Sequence, residues 1–174
     1  MYVNTTAEVK AETDYCVTSS NAVAVVEHIY REHGAGAEIL FGPDMFLGAY
    51  VERTLGRPMH VWDGECHVHA GIRPSDISEM RAAHPGADFL IHPECGCSTS
   101  VMEYVAAGDV DADGVHMLST AGMLHPLRLA APDVDFIAAN ERASCRYMKM
   151  ITLPKLRDCL RDLEPEVRVD PGLA

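Results

Sequence analysis

Ile39-Leu40-Phe41-Gly42-Pro43-Asp44 is the stretch on which the reading of the fold turns. A short β-prone apolar run stops abruptly at a turn of special residues, the signature of a strand leaving a sheet. The same grammar recurs along the chain: Met1-Tyr2-Val3 before Asn4, His60-Val61-Trp62 before Asp63-Gly64, and Phe89-Leu90-Ile91 before His92-Pro93-Glu94-Cys95. It returns in His116-Met117-Leu118 before Ser119-Thr120 and in Phe136-Ile137-Ala138 before Asn140. Longer segments with helix start signals lie between them. Ser19-Ser20-Asn21 opens Ala22 to His33, which Gly34 closes; Pro74 opens Ser75 to His84; Thr152 with Pro154 opens Leu153 to Leu163. Strand, helix, strand in repetition predicts an α/β fold of short parallel sheets with flanking helices. Ligands in such folds sit beyond the carboxyl ends of the strands. The residues just after each apolar run are therefore the default site.

The composition bounds the function. With 174 residues there is room for one good-sized α/β domain or two small packed lobes. Lys plus Arg is 14 against 26 for Asp plus Glu, a net charge of −12, so nucleic acid or an anionic membrane surface would have to bind against the protein's own field. Neither is expected as a partner. Lys10, Lys149 and Lys155 are the only lysines, and the acids are spread along the whole chain, a surface that a high-salt, halophile cytoplasm favours. No apolar run approaches a membrane span, and the amino end has no basic region followed by an apolar core. A cytoplasmic protein is expected. Pro58, the Gly64 to Pro74 loop and the acidic Gly108 to Gly114 turn are the main breaks, giving lobes at 1–73 and 74–150 and a terminal helix and tail at 151–174. Asp109, Asp111 and Asp113 are spaced like the start of a calcium loop, but no closing Glu follows, and the stretch reads as an acidic surface turn.

Six cysteines, at 16, 66, 95, 97, 145 and 159, are the first place to look for chemistry in a reducing compartment. Trp62-Asp63-Gly64-Glu65-Cys66-His67-Val68-His69 crowds a thiol, two imidazoles and two carboxylates into a turn after a strand. Soft thiolate and imidazole donors on a loop suit transition metals and iron-sulfur clusters; a buried Cys beside surface His residues is the plainer alternative. In His92-Pro93-Glu94-Cys95-Gly96-Cys97-Ser98-Thr99-Ser100, His92 and Glu94 form an acid/base pair at a strand end, and the hydroxyl run caps a helix or binds an anion. Ser119-Thr120 repeats that theme, and the Ala143 to Met150 stretch places Cys145 just before a helix, a core Cys with Met packing being the plainer alternative. Cys16 and Cys159 lie in apolar, helical-looking context and read as structural.

Taken together, these segments resemble quinolinate synthase, the iron-sulfur enzyme family of NAD biosynthesis. The resemblance is carried by Tyr2 to Ala11, Cys16 to Ala22, Gly42-Pro43-Asp44, Trp62 to His69, His92 to Cys95 and Cys145 to Leu153, in the family's order. It implies condensation of iminoaspartate with dihydroxyacetone phosphate to quinolinate, with loss of phosphate and water. An enzyme oxidising L-aspartate would supply the iminoaspartate. It also implies a 4Fe-4S cluster held by three Cys, one from each of three pseudo-repeated α/β/α lobes, with Cys66 and Cys145 matching the second and third ligands. By the same carry-over Tyr2 and Asn4 line the pocket, Ser19 binds a carboxylate or phosphate oxygen, and His69 sits near the cluster. His92 and Glu94 handle proton transfers and substrate contacts and are catalytic together with Tyr2, Ser119 and Thr120 anchor an anionic group, and Met148 packs beside the cluster.

The chain departs from the family pattern in two places. It begins where the family's second lobe begins, so the first lobe and its Cys are not in this sequence. Ser119-Thr120-Ala121-Gly122-Met123 also runs straight into Leu124-His125-Pro126, as though a strand-containing segment had been lost and the third lobe shortened. Two alternatives therefore stand beside the enzyme. One is a non-catalytic remnant, and the other is a small metal-binding or redox-sensing protein using Cys66, Cys95, Cys97 and Cys145.

Overall fold

The computed structural model describes residues 1–87 and 124–173. In chain order the elements are α1 (Ala7–Ala11), α2 (Ala22–His33), β1 (Leu40–Phe41), α3 (Met45–Leu55), β2 (His60–Val61), α4 (His67–Ala70), α5 (Pro74–Ala83), α6 (Leu124–Ala130), a 3-10 turn at Met148–Met150 and α7 (Leu153–Asp162). The fold is α/β. β1 and β2 pair in parallel, Leu40 opposite His60 and Phe41 opposite Val61. The sheet extends through single contacts: the Tyr2 N–H donates to the Gly42 carbonyl, and Tyr2 forms a parallel bridge with Val17. Extended segments around residues 17, 2, 41 and 61 thus lie side by side in that order.

Three helices follow their start and stop signals. α2 covers the expected Ala22–His33 and ends at Gly34, whose φ of +89° suits a residue without a Cβ. Its start is built differently from a simple cap, because Asn21 Oδ1 accepts from the Thr18 N–H at 2.6 Å and the Thr18 hydroxyl at 3.0 Å rather than from the helix. α5 starts at Pro74, where the Asp76 carboxylate takes the Arg73 N–H. α7 starts after Thr152, whose hydroxyl accepts from the Lys155 N–H, and closes at Leu163 in a left-handed conformation.

The core lies between the sheet and helices α2 and α3. Val17, Val26, Phe41, Leu47 and Val51 are buried together, flanked by Tyr2, Val23, Ile39 and Val61. Each such side chain removed from water contributes about 1.5–3 kcal/mol, so this cluster is what holds the amino-terminal half. α3 lies tight on β2: a Cβ added at Gly48 would stand 2.6 Å from Val61 Cγ1. A smaller buried set, Val68, Ile72, Ile77, Ala138 and Ala143, belongs to α4, α5 and the segment leading to Cys145.

Two expectations need correction. Phe136-Ile137-Ala138 is not a strand; Ile137 is exposed, and the Phe136 carbonyl accepts from the Arg128 guanidinium at 2.9 Å instead of from a neighbouring strand. Cys16 and Cys159 are exposed rather than buried, because neither segment turns that thiol inward. The expected strands at 89–91 and 116–118 and the acidic turn at 108–114 lie outside the described residues. No helix among the described residues is long and apolar enough to cross a membrane.

Candidate functional site

The candidate residues of this half follow four extended segments. Tyr2 and Asn4 follow from the first segment, Ser19 from the turn after Val17, Asp44 from β1, and the Trp62–Cys66 loop from β2. Tyr2 and Ser19 are half-buried, and Asn4 is exposed.

The loop after β2 is pinned from two sides. The Met45 N–H donates to the Gly64 carbonyl at 2.7 Å, and the Cys66 N–H donates to Asp44 Oδ2 at 3.0 Å. The other oxygen of the same carboxylate, Oδ1, accepts from the Leu47 N–H at 2.8 Å and caps α3. Gly64 is required by this closeness: a Cβ there would meet the Pro43 carbonyl oxygen at 2.5 Å and Trp62 Cδ1 at 2.9 Å. Cys66 thereby becomes the residue preceding α4, with an extended φ/ψ of −76°/112° and its thiol free and half-buried. On α4, His69 is buried at 8% exposure while His67 faces outward.

The second thiol arrives from the carboxyl-terminal half. Asn140 organises its approach: Oδ1 accepts from the Arg142 N–H at 2.9 Å, the carbonyl accepts from the Ala143 N–H at 3.1 Å, and Nδ2 donates to Asp76 Oδ2 on α5 at 3.4 Å. Ala143 is buried, Cys145 is a free, half-buried thiol, and its carbonyl accepts from the Lys149 N–H at the 3-10 turn. The ring of Tyr147 then meets the ring of His67 edge to face, with centroids 5.9 Å apart and planes at 90°. Arg146 lies over the same tyrosine ring at 5.0 Å. Since His67 adjoins Cys66 and Tyr147 is two residues past Cys145, the two thiol-bearing segments meet at this ring pair. Met148 is exposed at 57%.

Free thiols are the right kind of donor for an iron-sulfur cluster, and Cys66 and Cys145 fit such a group in type. They fall short of it in number. Among the described residues no group of three or more His, Cys, Asp or Glu side chains is placed to hold a metal ion. His92, Glu94, Cys95, Cys97, Ser119 and Thr120 lie outside the described residues. Three contributors were given no individual role in the sequence, although Asp44 and Asn140 follow apolar runs and Tyr147 lies in the stretch after Cys145. Asp44 did carry a signal, a capping residue directly before the helical Met45-Phe46-Leu47; Asn140 and Tyr147 act across chain separations that no local pattern encodes.

The family model described as quinolinate synthetase A protein matches residues 1–174, the whole sequence. The chain belongs to this family. It is 50% identical to a quinolinate synthase of Mycobacterium tuberculosis strain H37Rv over 194 residues, covering 99% of this chain and 54% of that protein. A quinolinate synthase of Mycobacterium sp. strain KMS is 51% identical over 190 residues, 97% of this chain and 55% of the relative. That of Mycolicibacterium paratuberculosis strain K-10 is 50% identical, again over 99% of this chain and 54% of the relative. The chain therefore spans about half the length of the curated relatives it matches. The aligned stretch also exceeds the 174 residues of the chain, so these quinolinate synthases carry within it residues that have no counterpart here.

Proposed function

We propose that this chain forms the second and third lobes of a quinolinate synthase, contributing to the condensation of iminoaspartate with dihydroxyacetone phosphate to quinolinate in NAD biosynthesis. The observation that carries this reading is the edge-to-face meeting of His67 and Tyr147, which brings the Cys66 and Cys145 segments together in a chain matching the family along its whole length. In this reading Cys66 and Cys145 would supply two of the thiolates that hold a 4Fe-4S cluster and the family's first lobe the third, and the chemistry gained would be Lewis-acid activation of a substrate oxygen.

The chain's own residues do the rest. Tyr2 and Asn4, at a strand end, line the substrate pocket, and the Ser19 hydroxyl binds a carboxylate or phosphate oxygen. His92 and Glu94 handle proton transfers and contact substrate. Ser119 and Thr120 anchor an anionic group through hydroxyls and backbone N–H groups. His69, buried on α4, sits close to the cluster. The protein works in the cytoplasm, where an L-aspartate-oxidising enzyme supplies iminoaspartate.

Anaerobic expression with iron and sulfide determination tests the reading. The 174-residue chain alone binds a cluster poorly, and adding the missing lobe restores it; a stoichiometric 4Fe-4S cluster in the isolated chain refutes that division of ligands. In the completed enzyme His92→Ala and Glu94→Ala suppress quinolinate formation while iron and sulfide stay bound. Wild-type turnover in both variants ends the assignment of roles. A second reading is a non-catalytic remnant. Failure of the added lobe to restore either cluster or turnover would establish it.

A further inference from the structure

We propose that Asp44 is a positioning residue for Cys66, tying the thiol-bearing loop to the first turn of α3 through one buried carboxyl group. Asp44 is 4% exposed, and its two oxygens are divided between two tasks: Oδ1 caps α3 at Leu47 N–H and Oδ2 takes the N–H of Cys66, 22 residues later. The tie falls on the residue that bears the thiol, not on a neighbour. With the Gly64 carbonyl held by Met45 N–H and with no space at Gly64 for a Cβ, the backbone of this loop has little room to shift. What remains free at Cys66 is the side-chain rotation. A ligand whose backbone is fixed in this way loses little freedom on binding metal, the general benefit of a supporting shell.

The two tasks can be separated chemically. Asparagine retains one acceptor oxygen, enough to cap α3, but replaces the second oxygen with an amide N–H₂ that faces the Cys66 N–H donor to donor. Serine caps with a hydroxyl too short to reach Cys66.

The inference rests on Cys66 and Cys145 being co-ligands, and the experiment separates the two ideas. In the full chain with Cys16, Cys95, Cys97 and Cys159 replaced by Ser, cadmium ion alone is titrated, and thiolate-to-metal absorption gives affinity and the number of thiolates. Thermal unfolding is followed by circular dichroism on the same samples. The parent is expected to bind cadmium through both thiols. Asp44→Asn and Asp44→Ser are expected to weaken that binding by about tenfold to a hundredfold, the usual loss when a ligand's orienting partner is removed, with the unfolding midpoint nearly unmoved. A parent that binds through one thiol or none overturns the co-ligand reading and this inference together. A parent that binds through both, with either folded variant retaining its affinity, overturns the inference alone. Parallel loss of ellipticity and cadmium binding in both variants assigns Asp44 to the fold and also overturns it.

Discussion

The rings of His67 and Tyr147 stand perpendicular at 5.9 Å, joining the segment of Cys66 to that of Cys145 across a long stretch of chain. Arg146 covers the same tyrosine ring, so Tyr147 is held by two cationic or aromatic neighbours rather than by burial, its side chain being 58% exposed. An edge-to-face pair of this kind contributes about 0.5–1.5 kcal/mol beyond its buried area. That is enough to bias the spacing of two loops without locking it.

Removing the ring should loosen that spacing. Tyr147→Ala is expected to lower the yield of a short bifunctional thiol crosslink between Cys66 and Cys145 several-fold, whereas Tyr147→Phe, which keeps the ring, stays near the parent. Peptide mapping of the crosslinked pair checks it, and equal yields in the three proteins would remove Tyr147 from the account.

The turn at Gly64 tolerates no side chain. Gly64→Ala is expected to cost about 1–3 kcal/mol through overpacking against Pro43 and Trp62. Chemical denaturation reads it as a lower midpoint, and faster alkylation of Cys66 should accompany it as the loop is displaced.

Leucines at the two ends of the molecule should behave oppositely. Leu47 is fully buried in the core, and Leu47→Ala is expected to destabilise by about 2–5 kcal/mol. Leu160 on α7 is 71% exposed, and Leu160→Ala should stay within about 0.5 kcal/mol. Unfolding curves of the two variants side by side decide the matter; a large loss at Leu160 would mean that α7 packs against something in solution.

Asn140 offers a milder test. Asn140→Ala removes two side-chain contacts before Cys145, the bond from the Arg142 N–H and the link to Asp76 on α5. Stability is expected to fall by about 1 kcal/mol, the net worth of a typical internal hydrogen bond. Hydrogen exchange should show the loss as faster exchange at the Arg142 amide, whose acceptor is the Asn140 side chain.

Local patterns carried much of the fold. Helices whose ends are written in adjacent residues, such as Ala22–His33 closed by Gly34 and Leu153–Asp162 opened by Thr152, could be read directly. The strand ends at Phe41 and Val61 were legible too, because a parallel strand is a short apolar run that stops at a turn. α3 was harder, since Met45 to Leu55 carries Gly48 within it and the helix depends on close packing against Val61. Phe136-Ile137-Ala138 misled for the converse reason: its β-prone side chains say nothing of whether a partner strand lies alongside. At the site, residue types pointed to Cys66 and Cys145, but what links them passes through Asp44, Asn140 and Tyr147, whose partners lie 22, 64 and 80 positions away in sequence.

Because α3 and β2 leave no gap between Gly48 and Val61, and Asp44 couples the first turn of that helix to the loop beyond the strand, the two elements form a rigid lever. A displacement of α3 along β2 is therefore expected to carry the backbone of Cys66 with it.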